Sequence, residues 1–127
     1  IGVPFDTLSS SLMFRYLSSM SDERKIASNA YQINLKKGVI DEKIIEKAYS
    51  AARIINHGLG FNLLQKASVK YKWNLNLSEI ARIWTNGCII RSKLMNDWIE
   101  ILSNKSFEHP LLHVKLVKEL KNLQGCC

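Results

Sequence analysis

The sequence predicts an all-α, helical bundle-like domain. Apolar residues recur at three- and four-residue steps, most regularly between Asp41 and Tyr71. Capping and stop residues punctuate these stretches. No alternating apolar and polar run of useful strand length occurs. Of the 127 residues, 46% are hydrophobic, enough for a packed core, and 23% are charged, which is near the globular norm. The length suits one domain or part of one.

The elements follow in order. Gly2-Val3-Pro4 is extended, because proline restricts the residue before it. Asp6 or Thr7 then caps a first helix, with Leu8, Leu12, Phe14, Tyr16, Leu17 and Met20 on and around one side. Its serines keep part of the surface small enough for close helix packing. Ser21-Asp22-Glu23 supplies a second cap and an acidic first turn that complements the helix dipole. The region from Tyr31 to Ile40 is a connector with a turn at Lys36-Lys37-Gly38.

Asp41 caps the longest helix, in which Ile44, Ile45, Ala48, Ala51, Ala52, Ile55, Leu59, Leu63 and Ala67 mark the apolar side. Gly58 and Gly60 interrupt it, each at a cost of about 1 kcal/mol relative to alanine. A close helix crossing is the expected compensation. Asn76, three residues before Glu79, forms a capping-box pattern for a short helix through Ile80, Ile83 and Trp84. Gly87 stops that helix at the C′ position. Another amphipathic helix carries Cys88, Ile89, Ile90, Leu94, Met95, Trp98, Ile99 and Leu102. Pro110 starts a final, lysine-rich helix from Leu111 to Leu123.

No run of about 18 apolar residues is present, so no membrane partner is expected. The three cysteines show no zinc spacing, and reduced thiols in the cytoplasm are the simplest reading. The net charge of +7 favours anionic partners. Its lysines and arginines are spread along the chain, with no basic arm, which counts against nucleic acid. The opening at Ile1 and the ending at Cys127 read as an internal segment of a longer polypeptide.

Catalytic constellations are absent from the pattern. His57 is a helical packing or surface residue. His109 and His113 flank Pro110 and have no acidic third ligand, so no metal site is expected. Asp97 and Glu100 fall on the polar side of their helix, where solvation accounts for them. Trp73, Trp84 and Trp98 are too far apart for a stacking platform and suit the core or an interface.

One resemblance adds to this reading. It is carried by Gly2-Val3-Pro4, by Phe14-Arg15-Tyr16-Leu17-Ser18-Ser19-Met20-Ser21-Asp22-Glu23-Arg24, and by Asn56-His57-Gly58-Leu59-Gly60-Phe61. Trp73 to Ile80 and Gly87 to Ser92 continue it in the same order. Together these segments resemble the decarboxylating 6-phosphogluconate dehydrogenases, over most of residues 1–95. The likeness implies that residues 1–127 are a single all-helical segment inside that family's C-terminal domain. An N-terminal Rossmann domain and a C-terminal tail would lie outside it.

The resemblance further implies an NADP-dependent enzyme that oxidises 6-phosphogluconate and decarboxylates it to ribulose 5-phosphate. The family's base lysine, acid glutamate and nucleotide-binding glycines all fall upstream of Ile1, so no catalytic or cofactor-binding residue is expected in this chain. Arg15 aligns with the family's substrate-phosphate arginine. A guanidinium suits that task, being always charged and able to engage two oxygens at once. Met13-Phe14 before it and Tyr16 after it depart from the family's local pattern without removing the charge. Arg91 also matches the family and is assigned to packing or an interface. Homodimerisation through the helical domain is a further implication, and the segment alone should be inactive.

Two rival readings remain at this level. A basic helical module could bind nucleic acid through a helix-turn-helix near Trp73–Ser92, with Thr85-Asn86-Gly87 as its turn. Few polar side chains at the start of its second helix argue against that. A non-catalytic scaffold derived from the same domain is the other.

Overall fold

The computed structural model describes residues 1–31, 38, 41–104 and 108–124. The expected turn at Lys36-Lys37 and the terminal Cys126 and Cys127 lie outside them. Six α-helices and one 3₁₀ turn form, with no strand among the described residues. The chain divides into two compact units, residues 4–41 and residues 42–127 with 1–3.

The smaller unit is a helix pair, α1 (Asp6–Ser19) and α2 (Ser21–Tyr31). Phe5 occupies the N-cap position of α1 and no side chain caps it, so the expected cap at Asp6 or Thr7 does not form. Asp6 lies instead in the first turn, where a carboxylate still complements the dipole. Met20 breaks the helix with ψ near 57°, and its N–H donates to the Leu17 carbonyl at 3.3 Å. No residue of either helix is buried.

The larger unit is built on α3 (Glu42–Tyr71). Its 30 residues make a rod of about 45 Å at 1.5 Å per residue. Against it lie α4 (Leu77–Trp84), α5 (Lys93–Ser103), the 3₁₀ turn Pro110–Leu112 and α6 (Val114–Gln124). Ile54 and Phe61 from α3, Ala81 from α4, Met95, Trp98 and Ile101 from α5 and Leu116 from α6 form the core. Trp98 is fully buried, with its ring centroid 5.3 Å from that of Phe61, and Phe61 in turn lies 5.5 Å from Trp84. Aromatic pairs at this spacing add about 0.5–1.5 kcal/mol each to their area burial.

The crossing that compensates a helix-interior glycine is present at Gly58. A Cβ there would overlap Leu111 Cγ and Cδ2 of the 3₁₀ turn. Beyond Tyr71 the chain reverses through Lys72 and Asn74, both left-handed at φ 55° and 53°. The Ser68 hydroxyl accepts from Leu75 N at 2.9 Å and steadies that reversal. The Asn76 side chain accepts from Glu79 N at 3.2 Å. The capping box is thereby half formed, since the Glu79 carboxylate accepts from Arg82 Nε at 2.8 Å.

Several boundaries move. Thr85 is the C-cap of α4, so Gly87, at φ 71°, sits one residue beyond the expected C′ position. Residues 88–91 form a turn closed by Arg91 N donating to Cys88 O at 3.0 Å. The next helix therefore starts at Lys93, with Ser92 as its N-cap accepting from Met95 N. Cys88 belongs to this turn and not to a helix interior, and Ile89 is wholly exposed. The apolar run Cys88-Ile89-Ile90 imitated a helical stripe, but the Ser92 cap fixes the true start. The final helix also begins later. Pro110–Leu112 is 3₁₀, His113 is extended at ψ 131°, and α6 follows.

Candidate functional site

Arg15 lies on α1, one turn before its C-terminal end, and is exposed. The hydroxyls flanking its face are turned inward on the helix backbone. Ser11 Oγ donates to Thr7 O at 2.6 Å and Ser19 Oγ to Tyr16 O at 2.7 Å. The unit's other described cations, Arg24 and Lys25, have protein partners. Arg24 donates from Nη2 to Ser18 O at 3.0 Å and from Nε to Met20 O at 3.3 Å. Lys25 lies 3.8 Å from the Asp22 carboxylate. Among the described residues, Arg15 donates to no protein acceptor, so its whole guanidinium is available to an anion.

Arg24 forms a structural link between the two helices that sequence reasoning missed. It satisfies carbonyls left open at the end of α1 and so ties α2 to the helix that carries Arg15. The signal was an arginine in the first turn of a helix that follows another after a one-residue break.

Among the histidines, His57 Nδ1 donates to the Arg53 carbonyl at 2.7 Å inside α3. His109 Nδ1 accepts from Leu111 N at 3.1 Å, capping the 3₁₀ turn. His113 Nδ1 accepts from Lys115 N at 3.3 Å at the start of α6. Burial, helped by the nearby Lys66 charge, holds the His109 ring below its ordinary value near 6.5. Its neutral form is the one that can accept at Nδ1.

Asp97 and Glu100 are not simply solvated. Both accept from Lys115 Nζ at 2.9 Å, joining α5 to α6. The two hydrogen bonds push the Lys115 ammonium above its ordinary value. Trp98 is core and Trp84 packs against it, while Trp73 is 55% exposed and stacks on Tyr71 at 5.0 Å. Arg91 is exposed in the α4–α5 turn and does not pack in the core.

The one glycine pair with cradle-like spacing among the described residues is part of a helix. Gly58-Leu59-Gly60 lies within α3, where successive amides are committed to the helix and Gly58 faces Leu111. No three His, Cys, Asp or Glu side chains converge among the described residues.

An all-helical domain, with glycine-permitted helix contact and an uncommitted arginine on a separate helix pair, is the class of protein this arrangement defines. Residues 1–126 match the family described as 6-phosphogluconate dehydrogenase, C-terminal domain, and the chain belongs to that family. It is 41% identical over 116 residues to 6-phosphogluconate dehydrogenase, decarboxylating, of Buchnera aphidicola, covering 86% of this chain and 25% of the relative. The Caenorhabditis elegans enzyme of that name is 35% identical over 132 residues, covering 97% of this chain and 27% of its own length.

Among solved structures, Plasmodium falciparum 6-phosphogluconate dehydrogenase superposes with a TM-score of 0.80 and 29% identity, over 96% of this chain and 28% of that one. That protein is described in its apo form and in complexes with its cofactor NADP+ and its substrate 6-phosphogluconate. The chain thus spans about a quarter of the length of the relatives it matches.

Proposed function

We propose that this chain is an internal part of the helical domain of an NADP-dependent enzyme that oxidatively decarboxylates 6-phosphogluconate to ribulose 5-phosphate. Its contribution is scaffold and one substrate-phosphate ligand, Arg15. The supporting observation is the uncommitted Arg15 guanidinium inside a segment that matches the family. NADP, held by residues outside this chain, supplies the hydride acceptor. The base and acid of the reaction also belong to the remainder of the enzyme, so the segment alone is inactive.

Arg15 would hold the phosphate, which takes no part in bond making, and thereby fix the sugar acid for the groups that act on it. Charge-assisted hydrogen bonds are worth about 1.5–3 kcal/mol, or roughly 10- to 100-fold in affinity. In the intact enzyme, Arg15→Ala therefore raises KM for 6-phosphogluconate by about tenfold or more while KM for NADP stays within about twofold. An unchanged KM for the sugar acid would remove Arg15 from the site.

The same reading includes a homodimer through the helical domain. Large apolar side chains of α1 and α2, among them Leu8, Phe14 and Ile26, are more than half exposed. Such surface is stabilised when covered. Cytoplasmic residence belongs to this proposal too, although one rice relative is named as chloroplastic. No described helix is long and apolar enough to cross a membrane. The helix-turn-helix alternative lacks support, because residues 85–92 separate α4 from α5 and the latter begins only at Lys93.

A further inference from the structure

Within the larger unit, the end of α4, the turn after it and the start of α5 line a wide, open cleft of about 780 Å³. Arg82, Arg91 and Lys93 supply three cations to its walls, and Thr85, Asn86 and Asn96 lie between them. No lining residue is acidic or apolar. One nearby carboxylate, Glu79, engages Arg82 through Nε at 2.8 Å, which leaves that guanidinium's terminal nitrogens for another acceptor. Arg91 and Lys93 have no carboxylate partner among the described residues. The local balance is therefore positive, which favours an anionic ligand.

The polar groups add neutral acceptors and donors. Thr85 Oγ1 donates to Arg82 O at 2.7 Å and keeps its lone pairs for a donor from outside. Asn86 and Asn96 are exposed and offer amide donors and acceptors both. The frame beneath is fixed. Ala81 and Met95 are fully buried under it, the Arg91 N–H closes the turn on Cys88 O, and Gly87 takes the positive φ the reversal needs. A packed frame holds long cationic side chains near one another at less entropic cost than a loose loop would.

We propose that this cleft, whose lining does not include Arg15, binds a small phosphorylated molecule carrying at least two negative charges. The cleft has the capacity of a metabolite site. It is a spot and not a track. The turn that frames it carries fully exposed Ile89 and exposed Ile90 where a nucleic-acid surface would continue with cations. A compact polyanion with hydroxyls fits the mix of guanidinium, ammonium and amide groups, the planar guanidinium of Arg91 taking two phosphate oxygens.

The test is a titration of the full 127-residue chain with pyrophosphate at constant ionic strength, followed by amide chemical shifts. Saturable shifts centred on Asn86, Lys93 and Asn96 are expected. The double variant Arg91→Gln/Lys93→Gln should weaken binding by about tenfold or more. Lys118→Gln on α6, which does not line the cleft, should bind as the parent does. Circular dichroism of each variant reports whether the helices are retained. Non-saturating shifts, or equal affinity in the helix-retaining double variant, would overturn the proposal. So would duplex DNA binding more tightly than pyrophosphate with a steep salt dependence, which would make the surface a nucleic-acid one. Because Arg15 plays no part, an Arg15→Ala chain should bind pyrophosphate here unchanged.

Discussion

Gly58 shows how a single residue can decide the packing of two elements. Alanine in its place would gain about 1 kcal/mol of helix propensity and lose more to overlap with Leu111. Gly58→Ala is therefore expected to lower stability by about 1–2 kcal/mol in urea unfolding, and Leu111→Ala in the same chain should relieve part of the overlap. At His109 the folded state favours the neutral ring, because burial and Lys66 both oppose protonation. The unfolded chain then binds more protons below about pH 6.5, so stability falls as pH drops through that value. His109→Asn keeps an N-cap acceptor and should flatten that part of the stability–pH profile. A profile identical to the parent's would show that His109 is not its source.

At the scale of elements, the caps carry the most information. Asn76 and Glu79 announce α4, and the Asn76 side chain does cap it. Asn76→Ala should cost about 1 kcal/mol, read as a lower urea midpoint with unchanged slope. The start of α5 was less legible. Cys88-Ile89-Ile90 continues an apolar stripe, and periodicity alone cannot separate a stripe from a turn that merely exposes isoleucines. Ser92, three residues before Met95, was the discriminating cap. The 3₁₀ turn at Pro110–Leu112 was hidden for a related reason. Pro110 marks a helical start without distinguishing one tight turn from a full helix. Ion pairs between elements leave no spacing signature, so Asp97 and Glu100 gave no hint of Lys115, 18 and 15 residues away.

For the whole molecule, the all-α class was legible because the helical period and the caps agree. The candidate site was legible only through resemblance. An arginine on an amphipathic helix has no distinguishing spacing, and what sets Arg15 apart is that Arg24 and Lys25 are already engaged. The exposed apolar side chains of α1 and α2 predict self-association. Sedimentation at micromolar concentration should detect a dimer of the 127-residue chain, and a strictly monomeric species would count against an interface on this surface.

The most direct measurement is a crystal structure of the intact enzyme containing this segment, with 6-phosphogluconate bound. The expected result is a phosphate oxygen within about 2.7–3.2 Å of the Arg15 guanidinium, while Arg24 keeps its carbonyl contacts. A phosphate held entirely by other residues, with Arg15 turned to solvent, would contradict the account.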